Sequence, residues 1–323
     1  MKAMVARQAS TGSATQKVLA FASLIALVII FSVASGNFLQ FDNVIGIMLS
    51  TAVIGILALG STFVIITSGI DLAVGTVMTF ASVMAGVMIT VWGLPMPLGV
   101  IGGIAAGAVC GLISGLAVAK MQIPPFIATL AMMMITKGLS LVISGTKPIY
   151  FNDSPEFSKI AMGSIIPGIE IPNAILIFFG IAILASILLT KTIVGRFTFA
   201  LGSNEEATRL SGVNVTAWKI TIYTITGVFS GIAGIVMASR LNSAQPALGS
   251  GYELEAIAAV VIGGTSLSGG KGSILGTVIG ALIMSVLTNG LRILSVKQEW
   301  QTVIVGLVVI LAVYADIMRR RKK

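Results

Sequence analysis

Apolar stretches as long as a bilayer is thick recur along this chain, and no water-soluble fold can hide them. Residues 18–35 (VLAFASLIALVIIFSVAS), 44–67 and 96–119 each reach the roughly 18 apolar residues that span a membrane, and 300–315 falls just short. Lipid offers no hydrogen bonds to a bare backbone, and these runs lack the alternation of a β-barrel, so they are predicted to be helices. Only 10% of the residues are charged, against roughly a quarter in a soluble domain, and mean hydropathy is +1.05. The expected fold is an all-α polytopic bundle of about ten spans: 18–36, 44–67, 71–92, 96–119, 125–145, 171–190, 216–238, 253–267, 273–295 and 299–317.

Basic residues set the expected orientation. Lys2, Arg7 and Lys17 precede the first span, and Arg319, Arg320, Arg321, Lys322 and Lys323 follow the last. The positive-inside rule then puts both termini in the cytoplasm, consistent with an even number of spans. The chain divides into a tail (1–17), one membrane domain (18–318) and a basic tail (319–323). Loops 146–170 and 239–252 fall outside, and loop 191–215 inside. A net charge of +9 distributed this way speaks for a membrane and against nucleic acid. VASG near residue 35 offers small residues for signal cleavage, but the preceding run is long for a signal peptide, and a retained first span is expected.

Catalytic chemistry is hard to find. The chain has no His and a single Cys, Cys110, inside an apolar run, so neither a disulfide framework nor a metal cluster is expected. GTSLSGGKGS at 264–273 looks like a phosphate loop, yet Thr265 stands where the first glycine belongs, and Gly272 follows Lys271 where a hydroxyl residue is required. The chain itself should bind no nucleotide and no other cofactor. Among ionisable residues in or beside the spans stand Asp71, Lys137 and Arg292; such groups are costly in lipid and mark function. Asp71 also suits a cap on the third span.

Two segments interrupt the apolar pattern in related ways. TSGIDLAVGT at 67–76 and GGTSLSGGKG at 263–272 match at a shift of 195 residues, Gly69 with Gly264, Leu72 with Leu267, and Gly75 with Gly270. Broken helices at corresponding places of a partial duplication point to a transport pathway, with Ser68, Gly69, Asp71, Gly75, Gly264, Thr265, Ser266, Gly269 and Gly270 as candidate lining. Tight turns at the membrane face are the alternative. The run 253–267 is short and opens with charges, as a half-helix would. Gly99, Gly103, Gly107, Gly111 and Gly115 recur every four residues, as do Gly272, Gly276 and Gly280. That spacing makes a small-residue helix face for close packing, within one bundle or between subunits.

SNEEATRLSG at 203–212 is a polar island. Ser203 and Glu206 form a capping-box pattern, Glu205 and Glu206 precede Arg209 as a helix dipole favours, and Gly212 suits a left-handed stop. A helix of about eight residues is marginal alone and needs a surface to rest on. An acidic start disfavours anionic lipid, so a soluble protein partner is expected.

FVIITSGIDLAVGT, PFIATLAMMMITKGL, GSNEEATRLSGVNV and NSAQPALGSGYELEAIAAVVIGGTSLSGGKGSILGTVIGALI, in this order and over about residues 40–318, resemble the permease subunit of ribose-type monosaccharide ABC importers, in the branched-chain amino acid/sugar permease family. That resemblance implies a homodimer of permease chains, a pair of cytoplasmic ATP-binding cassettes that spend ATP and magnesium, and a periplasmic sugar-binding protein. It implies that Ser203, Asn204, Glu205, Glu206, Ala207, Arg209, Leu210, Ser211 and Gly212 form the segment coupled to the cassette. Asn242, Ser243, Gln245, Pro246 and Tyr252, on an outer loop, are expected to meet the sugar or its binding protein. An importer of the same architecture for another sugar, a signalling sugar or a branched-chain amino acid, and an ion-coupled carrier, are the alternatives.

Overall fold

The computed structural model describes the backbone of residues 2–165 and 170–321; part of the loop at 146–170 and residues 322–323 of the basic tail lie outside the described residues. The regular structure of the described residues is helical but for one pair of two-residue strands. In order come α1 (Lys2–Ala34), α2 (Phe41–Ile66), α3 (Val74–Gly86, extended by a π-turn over Val87–Val91), α4 (Met96–Ala119), α5 (Pro125–Ser144), strand β1 (Ile149–Tyr150), α6 (Glu156–Met162), α7 (Asn173–Lys191), α8 (Ile193–Ser203), α9 (Glu205–Leu210), α10 (Val215–Leu241), strand β2 (Ser243–Ala244), α11 (Tyr252–Ile262), α12 (Ile274–Ile293) and α13 (Gln298–Arg321). Among the described residues, eight helices (α2, α3 with its π-turn, α4, α5, α7, α10, α12 and α13) are long and apolar enough to cross a membrane. The apolar part of α1, Val18–Ala34, is one residue short of that length class. The eighth expected span, 253–267, is half a helix: α11 has 11 residues, about 16 Å at 1.5 Å per residue, against a hydrocarbon core of about 30 Å.

Burial follows pattern. Every residue from Thr51 to Ile66 of α2 is buried, as a helix apolar all round must be when it sits at the centre of a bundle. Helices α10, α12, α11 and α7 surround it, while α1 leans on α12 and α13 on α11 at the periphery. Val303, Leu307, Ile310 and Leu311 of α13 and Ile25, Ile29 and Ile30 of α1 stay exposed. Apolar patches of that extent are made to face lipid or another protein.

Glycine packs the bundle from within. A Cβ on Gly107 would lie 2.5 Å from the Gly227 carbonyl oxygen and 2.9 Å from the Gly231 Cα, and one on Gly115 would lie 2.8 Å from the Ile220 Cα. The four-residue stripe of α4 thus seats on α10, with its first members, Gly99 and Gly103, against Ile89 and Ala81 of α3. Of the two roles open to this face, the structure assigns packing within one chain. Gly276 and Gly280 do the same for α12, meeting Gly263 and Ala259 at and beside the end of α11.

One end of the bundle carries a small lid. β1 and β2 pair antiparallel, Ile149 with Ala244 and Tyr150 with Ser243. Phe151 and Phe157 stack at 3.8 Å beneath them, and the Ser239 hydroxyl donates to the Phe157 carbonyl at 2.6 Å and accepts from Ala161 N–H at 2.8 Å, tying α6 to α10. The opposite end carries α8 and α9.

Candidate translocation pathway and coupling surface

Packing registers show how deep the breaks lie. Successive stripe glycines of α4 meet Ala85, then Ala81, along α3, and Gly231, Gly227, then Ile220, along α10. Helices α3 and α10 therefore run parallel, each antiparallel to α4. Gly234 of α10 sits on the backbone of Met78, four residues into α3. Helix α3 consequently begins beside the middle of α10, not at its end. The stretch 67–73 therefore interrupts the helical packing part-way along the bundle, climbing from its α8 end toward its centre.

Both breaks meet in one junction. Gly270 N–H donates to the Ile66 carbonyl at 2.9 Å, and the Ser68 hydroxyl to the Ser268 carbonyl at 2.8 Å. Beside them the Thr62 and Thr277 hydroxyls share a hydrogen bond of 2.7 Å within the core. The backbone curls sharply here, with φ of +62° at Ser68, +92° at Gly264, +78° at Gly269 and +71° at Gly270. Sequence similarity between the two segments thus marks two turns that hold each other. Of the remaining candidates, Thr265 is buried and its hydroxyl has no hydrogen-bond partner, and Ser266 N–H closes its loop on the Lys271 carbonyl at 3.0 Å. Asp71 is buried, and its carboxylate accepts from Ala73 N–H at 2.8 Å. It braces the turn two residues before Ala73, the N-cap of α3, and bonds none of the first helical N–H groups, so the cap expected of it does not form. Tyr223 turns its buried, unpartnered hydroxyl toward Gly69.

A second interruption dips in from the lid end. Asn242 ends α10 in the left-handed conformation (φ +49°), Ser243 is buried in β2, and the Gln245 amide donates to its hydroxyl at 2.9 Å. Pro246 is buried as well. These side chains fasten the loop to the lid. From there the chain descends until Gly249 lies against the backbone of Gly75, in the first turn of α3. It turns at Gly251 (φ +102°), whose N–H is held by the Glu253 carboxylate at 3.0 Å, and starts α11 at Tyr252. Two helix N-termini, those of α3 and α11, thereby converge inside the bundle, and each brings the partial positive charge of its free N–H groups. Tyr252 also lines a cavity of about 530 Å³ together with Arg240, Glu255 and Arg292. Sequence reading missed this cavity, because its walls come from five separate segments.

The polar island folds as expected in kind and differs in detail. Asn204, not Ser203, caps α9: its side chain accepts from Ala207 N–H at 2.9 Å. Ser203 is the last residue of α8, so the Ser203–Glu206 capping box does not form. Glu205 joins Arg209 (3.2 Å) and Lys219 of α10 (2.7 Å), Glu206 reaches Arg209 at 3.8 Å, and the Ser211 hydroxyl donates to the Ala207 carbonyl at 2.8 Å. Gly212 takes the left-handed stop (φ +83°). Leu210 projects 80% exposed at the tip, beside a groove of about 290 Å³ between α9 and the α4–α5 connection. Surface ion pairs of this kind hold little energy, so cap and tip define the feature.

Helix α8 links island and junction. Its Leu201 is buried, and a Cβ on Gly202 would overlap the Ile66 carbonyl and lie 2.6 Å from Gly270 N. Three backbones therefore converge where the two breaks meet. Gly202→Ala should still insert but lose about tenfold in transport rate, because a methyl at a site with no room costs about 1–3 kcal/mol by displacing its neighbours. Uptake rate measured beside thermal stability is the check; a wild-type rate would detach α8 from the pathway.

Known proteins resemble this chain along most of its length. Residues 43–313 match the family described as branched-chain amino acid transport system / permease component. The ribose import permease protein of Bacillus subtilis (strain 168) is 45% identical over 302 residues, covering 93% of this chain and 92% of that protein. The ribose import permease protein of Escherichia coli (strain K12) is 40% identical over 294 residues, 91% of each. The fructose import permease protein of Rhizobium meliloti is 36% identical over 313 residues, 95% of this chain and 86% of that protein. With its membrane-length helices, its paired breaks and this match across most of its length, the chain is a multi-pass inner-membrane protein that belongs to the branched-chain amino acid transport system / permease component family.

Proposed function

We propose that this chain is the membrane subunit of an ATP-binding-cassette importer that carries a ribose-like monosaccharide across the bacterial inner membrane. The observation that carries this reading is the contact of α8 with the paired breaks at Gly202, Ile66 and Gly270. It gives a force applied at α9 a rigid route to the intramembrane turns. The capped α9, with exposed Leu210 at its tip, is the part a cassette grips from the cytoplasm, the side on which the basic tails also lie. ATP is hydrolysed in that separate subunit. A periplasmic binding protein delivers sugar at the lid end, and a second copy of this chain completes the conduit. The sugar class rests on the named relatives, which import ribose and fructose.

Uptake by vesicles that hold the chain, its cassette and its binding protein tests the reading. Labelled ribose should accumulate only with ATP inside, and unlabelled ribose should compete better than fructose, xylose or leucine. Accumulation driven by an ion gradient without ATP would refute it. Preference for another sugar would correct the solute alone.

A further inference from the structure

Lys137 stands in the interior of α5, thirteenth of its 20 residues, and its side chain is exposed. Seven residues separate it from Ser144 at the helix end, about 10 Å along the axis, which is further than a lysine chain reaches by snorkelling. Among the described residues no carboxylate pairs with it. An ammonium facing hydrocarbon at such a depth costs about 2.5–3.5 kcal/mol. Met134, Ile135 and Leu139 around it are exposed too, so α5 presents a face that no other part of the chain covers.

Lys137 does not stand alone. It borders a closed crevice with Thr76 and Thr79 of α3 and with Pro246, Gly249 and Ser250 of the descending loop. Thr79 is 4% exposed, and its hydroxyl has no hydrogen-bond partner. On its other side α5 is pinned to α3, where the Thr136 hydroxyl donates to that of Thr76 at 2.8 Å. A lysine with no ion-pair partner among the described residues and an orphaned buried hydroxyl thus border one crevice, where the N-terminus of α3 and the loop before α11 converge.

We propose that Lys137 is a solute-contacting residue of the conduit. The conduit runs along the open face of α5 with the second copy as its far wall, and Lys137 donates hydrogen bonds to the hydroxyl oxygens of the passing solute. Thr79 becomes available to the same solute when the Pro246–Ser250 loop moves off the crevice. A neutral polyol suits this lining: it offers acceptors to the ammonium and both donors and acceptors to the hydroxyl, while small cations are repelled. This assignment rests on the reading of the chain as a solute permease.

Thiol accessibility tests it. The chain has one cysteine, Cys110, which is buried, so Cys110→Ala is a simple background. Lys137→Cys and, as a lipid-facing control on α4, Ile101→Cys are introduced one at a time into the assembled transporter in vesicles. Each is treated with a charged, membrane-impermeant methanethiosulfonate. Position 137 should react at least about tenfold faster than position 101, and ribose should slow its reaction. Equal rates at the two positions would place Lys137 in lipid and overturn the proposal, and so would a 137 rate that no sugar in the ribose, fructose and xylose panel changes. In uptake, Lys137→Arg should keep most of the rate and Lys137→Met lose about tenfold, the equivalent of about 1.4 kcal/mol. Faster labelling at 137 does not depend on ribose being the solute, so a failed ribose assignment and a failed conduit assignment give different results.

Discussion

Gly107→Leu should abolish the folded protein. The first atom it adds would sit 2.5 Å from the Gly227 carbonyl oxygen and 2.9 Å from the Gly231 Cα, so the obstruction is backbone on a neighbouring span, with no flexible side chain to move aside. Helix α10 opposes the glycine stripe of α4 with its own Gly227 and Gly231, and the two helices approach by backbone contact over about three turns. In lipid this packing has no hydrophobic force behind it, because acyl chains are as apolar as leucine; close van der Waals contact between backbones is what holds the pair. Overpacking a side chain commonly costs about 1–3 kcal/mol. A leucine that pries two backbones apart along a whole interface should exceed that range, and Gly107→Ala should fall within it. Gly180→Leu on α7 is the control, since a Cβ there meets nothing within 4 Å. Yield of monodisperse protein in mild detergent and the melting midpoint are the measurements. A leucine variant with wild-type yield and midpoint would mean that α4 and α10 do not pack in this way.

The same stripe shows what can be read from a sequence of this kind. Its four-residue spacing declares a face, and the length and polarity of 253–267 declare a half-helix, because both depend on one element at a time. Which partner a face meets depends on two elements, and spacing is silent about that: a stripe against α10 and a stripe against a second copy look identical. The repeated turns at 67–76 and 263–272 were recognisable as related through their glycines, yet their contact through Gly270 N–H and the Ile66 carbonyl joins residues two hundred positions apart. At the polar island the error was a single residue. Ser203 and Asn204 are both good caps, and the choice fell to Asn204 because Leu201 is buried and keeps α8 helical through Ser203. The descending loop escaped notice for a related reason. Its polar residues suit water, and only the packing of Gly249 on Gly75 carries it into the bundle.

Leu210→Asp should leave the membrane domain intact and stop transport. Leu210 is 80% exposed at the end of α9, so its replacement removes no internal packing, and surface substitutions of this kind usually change stability by less than about 0.5 kcal/mol. Its value lies wholly in what covers it. A leucine buried fully in a partner's groove contributes about 1.5–3 kcal/mol, and aspartate adds the cost of a desolvated charge, so cassette affinity should fall by at least about a hundredfold, or about 2.8 kcal/mol. Gly212→Val reaches the same end by a different route. No atom crowds Gly212, but its φ of +83° is left-handed backbone that a β-branched residue occupies only under strain. Valine should therefore unwind the stop after α9 and displace Leu210 while the spans remain in place. Both variants should run as monodisperse protein with an unshifted melting midpoint, retain less cassette after affinity purification and fail to stimulate its ATP turnover. Exposed Leu294, at the lid end of the bundle by the end of α12, is the matched control: Leu294→Asp should leave cassette retention unchanged. Wild-type retention in Leu210→Asp would move the gripping surface away from α9 and remove the proposed route from it, through Gly202, to the turns at 67–73 and 263–272.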